Sequence, residues 1–574
     1  MDGHRVPAAR QAYDQAGRRT ADPRMSALKT DPSGWGIRWP EAQVDRYLKE
    51  GAWQPTTLVD AARAATAEDP SRTLLIEGDN RLTRGQAWDQ ALRVAGFFLS
   101  RGLKPGDVIA FQLPNWTEAA VLALAARMTG IVVNPIPPIY RESELGYILA
   151  DCAAKLIFIP AVFRKHDHRQ MLGALREPLP ALEDVIVVRG AGDLTWDDVV
   201  SHAAAAEADL PVVDPASVMM VMYTSGTTGK PKGVLHIHHA FDHRVRSMGE
   251  AWGIGSDDVV FMPSPISHIT GAFWAFDMPW VRGCQSVLLD IWEADDGLKC
   301  IETNRCTVTG GATPFLQQLL DTARSRPEAV ESLRLFFCGG TTVSPGLIRE
   351  ASDAFPGCLM FRVYGSTEMT CATLGIRDKA LADLGAETDG EILYPTEIRI
   401  VDPVGDASVP DGEEGEILAR GPGLFVGYLH PADNEGQFDG EGFFRMGDLG
   451  RRVHGDYLVI TGRKKDIIIR SGENISPKEV EDLLYTHPGI ADVAIVAMPS
   501  ARTGEKGCAF VIPREDWTVD MADISRFLSG VGLARQKFPE HLVLVDDLPR
   551  VPSGKVKKDV LRLRAAEIAK ELEA

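Results

Sequence analysis

The sequence predicts an α/β protein with a large N-terminal domain of several subdomains and a small α+β C-terminal domain. Two observations support this class. Short apolar, β-branched runs alternate with helical stretches from Thr73 onward, which is typical of α/β layers with mixed or parallel sheets. The composition changes after about residue 387, where turn-rich segments separate short strands. A chain of 574 residues has room for several domains of ordinary size.

Seven apolar runs are predicted as buried strands because they are short, rich in β-branched residues and bounded by polar turns. They span residues 107–112, 131–134, 156–159, 184–188, 218–223, 287–289 and 333–337. The segment 115–128 has apolar positions on a 3.6-residue period, and Asn115 and Glu118 have the spacing of a capping box. We therefore expect a helix there that Asn115 caps.

The domain organisation follows from shifts in composition. Residues 1–50 are polar and show no period, so we expect a loosely packed leader. Residues 391–401 and 415–420 are predicted as hairpin strands of a small β subdomain. The basic sequence Gly462–Asp466 then interrupts two apolar strands. We place the domain boundary there, which gives a large domain over residues 51–464 and a small one over residues 465–574.

The charge balance excludes one class of protein. There are 61 Lys and Arg residues against 80 Asp and Glu residues, and the net charge is −19. A nucleic-acid-coating protein needs net positive charge to neutralise phosphates, so no nucleic-acid partner is expected. A small anionic ligand is compatible with this charge, because local fields can oppose the net charge.

Neither a membrane span nor a secretory signal is predicted. The most apolar stretch, residues 119–136, contains Arg127, Asn134 and Pro135. The N-terminal residues lack the apolar segment of a signal peptide. The eight cysteines form no CxxC pair, which is typical of reduced thiols rather than of zinc sites or disulfides. We expect a cytoplasmic protein without integral membrane association.

The strongest motif is YTSGTTGKPKG, which spans Tyr223–Gly233 directly after an apolar strand. Glycines let backbone N–H groups turn toward one centre, and hydroxyl and ammonium groups complete a shell around an anion. This pattern predicts a phosphate-binding loop and disfavours a flexible surface linker. A Walker A motif is excluded because Pro231 stands where a Ser or Thr would bind magnesium. The loop residues are Thr224, Ser225, Gly226, Thr227, Thr228, Gly229 and Lys230.

With this motif the chain resembles the adenylate-forming superfamily of acyl- and aryl-CoA synthetases, peptide-synthetase adenylation domains and luciferases. Seven further motifs follow in the family's order, and the resemblance extends over roughly residues 55–565. They lie at residues 263–271, 338–341, 363–368, 444–448, 462–466, 470–475 and 549–555. The segments 112–116 and 134–141 are similar to the cyclohexanecarboxylate–CoA ligase branch.

The resemblance implies a nucleotide site. Glu368, with Thr224, would hold Mg²⁺ on the ATP phosphates, and Tyr364 would stack on adenine. Asp448 would bind the ribose hydroxyls, and Arg463 would add a donor to the ribose or phosphate. The remaining residues assigned to ATP or AMP are Gly339, Gly340, Thr341, Gly365, Ser366 and Thr367.

The resemblance also implies residues for two successive reactions. Lys555 would stabilise charge during adenylate formation, and His268 would gate the entry of the acid. The C-terminal domain would rotate about the hinge Lys465 and bring a CoA-tunnel loop to the site. That loop consists of Ser471, Gly472 and Glu473.

Alternatives stand beside some of these assignments. His268 could be a structural histidine, and Lys555 could share a solvated basic face with Lys557 and Lys558. A metal site is not expected at the histidine group, because no Cys or carboxylate cluster accompanies it. That group consists of His236, His238, His239 and His243.

The resemblance implies an ATP-dependent carboxylate–CoA ligase that uses ATP, Mg²⁺ and coenzyme A and acts on an alicyclic, aryl or medium-chain acid. The alternatives are an enzyme that loads a carrier protein or oxidises its adenylate, and a non-catalytic nucleotide-binding homologue. Ile269 stands where hydroxybenzoate-activating relatives commonly have Asn, which disfavours a 2-hydroxyaryl acid. Residues 549–555 also resemble the pattern that lysine acetyltransferases recognise, so an acetyltransferase and a deacylase are expected partners at Lys555. A monomer or homodimer is expected.

Overall fold

The computed structural model describes residues 28–175, 179–224, 230–341, 343–471, 473–500, 502–551 and 554–573. The strands of this part of the chain are β1 Leu28–Thr30, β2 Gly36–Arg38, β3 Thr73–Glu77, β4 Asn80–Thr83, β5 Val108–Phe111, β6 Val132–Pro135, β7 Leu156–Pro160, β8 Val162–Phe163, β9 His166–Asp167, β10 Asp184–Val188, β11 Val218–Thr224, β12 Lys232–Ile237, β13 Val259–Met262, β14 Gln285–Leu288, β15 Val308–Gly311, β16 Leu335–Gly339, β17 Leu359–Val363, β18 Glu397–Val401, β19 Gly415–Arg420, β20 Phe444–Val453, β21 Tyr457–Arg463, β22 Ile468–Arg470, β23 Glu473–Ile475, β24 Ile490–Ser500, β25 Gly504–Pro513 and β26 His541–Leu544.

The helices are α1 Glu41–Lys49, α2 Leu58–Glu68, α3 Arg84–Ser100, α4 Thr117–Thr129, α5 Glu142–Asp151, α6 His168–Leu175, α7 Trp196–Val200, α8 His238–Ala251, α9 Ile269–Ala272, α10 Met278–Arg282, α11 Ala294–Asn304, α12 Thr313–Ala323, α13 Pro345–Ala354, α14 Ala382–Glu387, α15 Pro477–Leu484, α16 Met521–Gly530 and α17 Lys558–Glu573.

Two large, mainly parallel sheets form the body of the molecule. One has the strand order β10-β7-β5-β6-β11-β12 and the other has the order β17-β16-β15-β13-β14-β3-β4. Only the β11–β12 and β3–β4 pairs are antiparallel. The largest core cluster joins residues of both sheets to α3, α4 and a π-helical turn, Phe273–Asp277. This confirms the predicted α/β class.

Two smaller sheets complete the fold. Strands β18 to β21 form a four-stranded antiparallel sheet, the predicted β subdomain. Its first strand is shorter than predicted, because residues 391–396 make only isolated bridges. Strands β22 to β26 form a five-stranded sheet, which packs with α15 and α17 in the C-terminal part of the chain.

The expectation of a loosely packed leader is wrong for residues 28–50, whereas residues 1–27 lie outside the described part. Val44 and Tyr47 of α1 are buried. Asp31 Oδ2 accepts a hydrogen bond from the amide of Val218 at 2.7 Å. Just beyond, Trp53 Nε1 donates to the carbonyl of Pro422 at 2.9 Å. This N-terminal segment therefore ties the six-stranded sheet to the β subdomain.

The capping role expected for Asn115 is also wrong. Helix α4 begins at Thr117, its N-cap residue is Trp116, and its first amide donates to Glu77 Oε2 at 3.1 Å. The Asn115 amide instead donates to the carbonyl of Ser264 at 3.0 Å, and its oxygen accepts from the amide of Ile266 at 2.9 Å. Because Asn115 is buried, this amide serves the backbone of the loop that leads to His268.

We predict that Asn115→Ala destabilises the protein by about 1–3 kcal/mol, because it leaves the buried amide of Ile266 and carbonyl of Ser264 without their partner. The urea midpoint of unfolding measures this effect. The control, Asn80→Ala, removes the same group from an exposed position and should change the midpoint little. Equal midpoints for the two variants would contradict the assigned role.

Candidate active site

The carboxyl ends of three adjacent parallel strands bring together much of the predicted nucleotide site. Strands β15, β16 and β17 pair in register, and a loop follows each of them. Thr341 Oγ1 lies 2.8 Å from Thr313 Oγ1, so the loop after β16 contacts the first residue of α12, the helix that follows β15. Gly340 has φ of 82°, which a side chain would strain, and no atom lies near the position of a Cβ. Ligands of α/β sheets commonly bind at such strand ends.

Tyr364, Asp448 and Arg463 form one connected group, in which Tyr364 and Asp448 are buried and Arg463 is half-buried. Tyr364 Oη donates to Asp448 Oδ2 at 2.7 Å, and Arg463 Nε lies 3.2 Å from Asp448 Oδ1. Asp448 and Arg463 are direct partners across β20 and β21. Burial, and then the Asp448 charge, raises the pKa of Tyr364 well above its usual value. Burial opposes the charge on Arg463, but the Asp448 and Asp466 carboxylates raise its pKa.

The loop after β17 is a tight turn that presents Glu368. Ser366 donates its N–H to the carbonyl of Met369 at 3.0 Å and accepts from the amide of Met369 at 3.1 Å. A Cβ on Gly365 would come within 2.5 Å of the Cys371 nitrogen, so only glycine fits there. Thr367 is half-buried. Tyr428 Oη donates to Glu368 Oε1 at 2.8 Å.

The ends of the phosphate-binding loop are described, but its centre is not. Thr224 ends β11 and is paired with Lys232 of β12. Lys230 is exposed, and its Nζ lies 5.8 Å from the centre of the Tyr147 ring. The predicted residues Ser225, Gly226, Thr227, Thr228 and Gly229 lie outside the described residues.

Lys555 lies at this site although it comes from the C-terminal end of the chain. A Cβ on the preceding Gly554 would lie 3.2 Å from Pro314, at the start of α12, so the two domains meet here. Burial, and then the charge of Arg463, lowers the pKa of Lys555 to about 7. Its neighbours do not share this position, since Lys557 is exposed and Lys558 Nζ lies 2.6 Å from Glu481 Oε1.

His268 faces the same site and also has a structural contact. Its Nδ1 accepts a hydrogen bond from the amide of Thr270 at 3.4 Å and so caps α9. Burial, followed by the charge of Lys555, lowers the pKa of His268 to about 4, so the ring is neutral at pH 7. The π-helical turn that follows α9 buries Phe273 and Trp274. The segment that follows His268 is therefore largely apolar.

Three glycines at the ends of β15 and β16 are explained by close packing. A Cβ on Gly310 would come within 2.5 Å of the Phe337 ring, and one on Gly311 within 2.8 Å of Phe315. A Cβ on Gly339 would come within 2.5 Å of a backbone oxygen. The positions that side chains would take are therefore already filled by other atoms.

The predicted hinge lies between the last strand of the β subdomain and the C-terminal sheet. Lys465 is the middle residue of a 3₁₀ turn, Lys464–Asp466. Arg562 of α17 forms an ion pair with Asp466 and donates to the carbonyl of Lys465 at 3.4 Å. Ser471 follows β22 and Glu473 begins β23; both are exposed, and Gly472 lies outside the described residues.

The histidines after the phosphate loop have packing roles. His239 stacks on Trp53 with ring centres 4.8 Å apart, and His243 Nδ1 contacts the carbonyl of Ala52 at 3.0 Å. Burial lowers the pKa of all four histidines to about 4 or below. Within the described ranges, no group of three or more His, Cys, Asp or Glu side chains is placed to hold a metal ion. The same residues include no helix long and apolar enough to cross a membrane.

Comparison with known proteins identifies the family. The family model described as AMP-binding enzyme matches residues 62–429, and the model of the AMP-binding enzyme C-terminal domain matches residues 479–555. The chain belongs to the AMP-binding enzyme family. It is an AMP-forming acid–thiol ligase, which activates an acid with ATP and ligates it to CoA. The resemblance to the adenylate-forming superfamily is confirmed.

Individual relatives of this AMP-binding enzyme match along nearly their whole length. The medium-chain fatty-acid–CoA ligase of Escherichia coli K12 is 35% identical over 540 residues, which cover 92% of this chain and 94% of that protein. A salicylyl-CoA synthase / salicylate adenylyltransferase of a Streptomyces species is 31% identical, covering 92% and 97%. ATP-bound MatB from Rhodopseudomonas palustris superposes with a TM-score of 0.80 at 29% identity, covering 90% of this chain and 100% of that one.

We call the described arrangement, in which the C-terminal domain places Lys555 at the site, the closed form, and an arrangement in which Lys555 is withdrawn into solvent the open form. The pKa of Lys555 predicts that the balance between these forms depends on pH in the nucleotide-free enzyme. An exposed lysine has a pKa of about 10.4, whereas Lys555 in the closed arrangement has a pKa of about 7. Between these values the open enzyme binds more protons, so closure releases a proton and becomes more favourable as pH rises. Below about pH 7 both forms are protonated and the dependence levels off.

Energy transfer between one fluorophore on each domain, followed from pH 6 to 10, measures this closure. The control is Lys555→Met, which keeps most of the side-chain volume but cannot titrate. Its closure should not vary over this pH range. An unchanged pH dependence in that variant would assign the effect to another group.

Proposed function

We propose that this enzyme converts a medium-chain or alicyclic carboxylic acid to its acyl-CoA thioester through an acyl-adenylate. The observation that carries the proposal is the position of the half-buried Lys555 near Arg463 and His268, beside the start of α12. An ammonium in that position would stabilise the charge that develops as the carboxylate attacks the α-phosphate. His268 and the apolar residues that follow it would hold the acyl group.

Two observations support this choice of acid: the apolar residues that follow His268, and the acids for which two relatives are named. Ile269, Phe273 and Trp274 are buried and offer no polar side-chain atom except the indole N–H, which suits an aliphatic or alicyclic acyl group. The Escherichia coli relative is named for medium-chain fatty acids. The Streptomyces relative is named for salicylate, which makes aryl acids the competing class.

The residues present fit a magnesium ion that is shared with ATP. Glu368 supplies a carboxylate, and Thr224 supplies a hydroxyl, so the donors are oxygens, as Mg²⁺ prefers. No all-protein cluster lies among the described residues, so the other ligands would come from the phosphates and water. The bound ion would neutralise phosphate charge. Asp448 and Arg463 would orient the ribose, and Tyr364 the adenine.

We also propose that the two half-reactions use two orientations of the C-terminal domain, residues 465–574. In the described orientation Lys555 is half-buried near Arg463, while Ser471 and Glu473 are exposed, which suits adenylate formation. Rotation at Lys465 would withdraw Lys555 and bring the loop around Gly472 to the adenylate. Such a movement lets one site first exclude water and then admit a thiol.

A screen of pyrophosphate release over medium-chain, alicyclic and aryl acids tests the substrate class, and a thioester assay with CoA against a carrier protein tests the acceptor. We expect turnover of octanoate-sized and cyclohexane acids, with CoA as the acceptor. Turnover of aryl acids alone, or acyl transfer only to a carrier protein, would contradict the proposal.

Acetylation of Lys555 is expected to stop adenylate formation, because it removes the positive charge. Lys555 is half-buried where the two domains meet, so a lysine acetyltransferase would need the open form to take the whole side chain into its own active site. MgATP with an acid that the enzyme accepts should therefore protect Lys555. Mass spectrometry after treatment with acetyl-CoA and an acetyltransferase measures this. Modification of exposed Lys557 alone, with full activity retained, would contradict inactivation through acetylation of Lys555.

A further inference from the structure

Tyr428 is a buried tyrosine beside Glu368 that lies outside every predicted motif. Its side chain is only slightly exposed, with 6% of the residue surface accessible. Its hydroxyl donates to Glu368 Oε1 at 2.8 Å. A phenol is protonated at neutral pH and an ionised carboxylate can only accept, so Tyr428 is the donor in this bond. This bond occupies one carboxylate oxygen and leaves Oε2 for another ligand.

The backbone holds Tyr428 in a fixed position. Residues 426–429 pair with β12, the strand that follows the phosphate-binding loop, through backbone hydrogen bonds of 2.8 to 3.1 Å. The amide of Tyr428 donates to Asn434 Oδ1 at 3.0 Å. The ring packs edge-on against Phe425 with centres 4.9 Å apart. The hydroxyl is therefore presented by a rigid element rather than by a free loop.

The segment that carries Tyr428, residues 425–429, contacts both Glu368 and the strand that follows the phosphate-binding loop. The amide of Phe425 donates to the carbonyl of Glu368 at 2.8 Å, so the backbone of Glu368 is held as well as its side chain. On the other side, Lys232 Nζ lies 5.1 Å from the centre of the Tyr428 ring and 3.2 Å from Asp433 Oδ1. Tyr428 thus connects the second lysine of the phosphate-loop motif to the carboxylate assigned to the metal.

We propose that Tyr428 is a positioning residue that orients Glu368 to bind a divalent cation together with the nucleotide. Outer-shell partners that orient ligating carboxylates typically change metal affinity 10- to 100-fold. The inference rests on the role proposed for Glu368. It concerns only adenylate formation, because pyrophosphate has left before the thiol attacks the adenylate.

The test is Tyr428→Phe in the full chain, with Mn²⁺ as the probe. Electron paramagnetic resonance follows Mn²⁺ binding in the presence of an ATP analogue with an α,β-methylene bridge, so no turnover is needed. We expect the Mn²⁺ dissociation constant to rise about 10- to 100-fold. The Mg²⁺ concentration for half-maximal pyrophosphate release should rise in parallel, with the KM for the acid and thioester formation from supplied acyl-adenylate unchanged.

Two controls separate positioning from general damage. Tyr485→Phe removes a tyrosine hydroxyl that donates to Asp492 at 2.9 Å, in the C-terminal sheet, and should leave Mn²⁺ binding unchanged. In a Glu368→Gln background, Tyr428→Phe should have no further effect on Mn²⁺ binding, because the group through which it acts is gone.

Wild-type Mn²⁺ affinity in Tyr428→Phe would overturn the inference, and so would a full additional loss in the Glu368→Gln background. Equal losses of pyrophosphate release and thioester formation would indicate a merely structural tyrosine. If the wild-type enzyme bound no Mn²⁺ with the analogue, the role of Glu368 and this inference would fail together. If it bound Mn²⁺ but activated no acid, only the proposed substrate class would fail.

Discussion

Lys555→Ala should reduce the rate of adenylate formation by about 10²- to 10³-fold, the usual effect of removing one preorganised group that stabilises transition-state charge. Lys555 reaches the site through contact between Gly554 and the start of α12, and it lies near Arg463 and His268. Thioester formation from supplied acyl-adenylate should be largely unaffected, because the charge is needed only in the first half-reaction. Pyrophosphate release and CoA-thioester formation, assayed separately, measure the two steps.

The matched control is Lys557→Ala, which deletes an exposed lysine two residues away. It should leave both half-reactions close to the wild-type rates. If Lys555→Ala slowed both steps equally, the lysine would act on domain closure or folding rather than on the charge of the first transition state. If Lys557→Ala reproduced the loss, the basic face rather than one ammonium group would matter.

Much of the fold could be predicted because a buried parallel strand is marked by its own residues. The run 184–188 is a strand with the predicted bounds, and 156–159 extends by only one residue in β7. The N-terminal segment could not be predicted in the same way. Val44 and Tyr47 are buried by elements such as β12 and residue 426, which lie far along the chain, and the polar sequence around them gives no local signal.

The same distinction between local sequence signals and contacts with distant segments applies to the candidate site. The phosphate-binding loop could be found because Tyr223–Gly233 places glycines, hydroxyls and lysines together directly after a strand. The other motifs were found through the resemblance to the adenylate-forming superfamily. Contacts between distant segments could not be found. Tyr428 is 60 residues from Glu368, and Asn115 is 151 residues from Ile266. Nothing near Asn115 distinguishes a residue that supports a remote loop from a helix cap.

Lys465→Pro should have the opposite effect from Lys555→Ala. Lys465 lies in a 3₁₀ turn, whose φ of about −50 to −70° matches the value near −65° that proline imposes. The described orientation should therefore survive, and adenylate formation with it. Rotation to the second orientation needs a backbone change that proline resists. The misplaced CoA-tunnel loop should then slow thioester formation about 10²-fold, as small errors in reactant placement do.

Lys465→Ala separates the backbone from the charge, since it removes the ammonium but leaves the dihedral angles free. It should retain thioester formation at a rate well above that of the proline variant, and single-turnover transfer from supplied acyl-adenylate to CoA measures both. Normal transfer in Lys465→Pro would place the pivot elsewhere. Asp466 would then be the next position to examine, because its ion pair with Arg562 of α17 joins the turn to the C-terminal domain. Loss of adenylate formation in Lys465→Pro would instead show that the turn itself cannot accept proline.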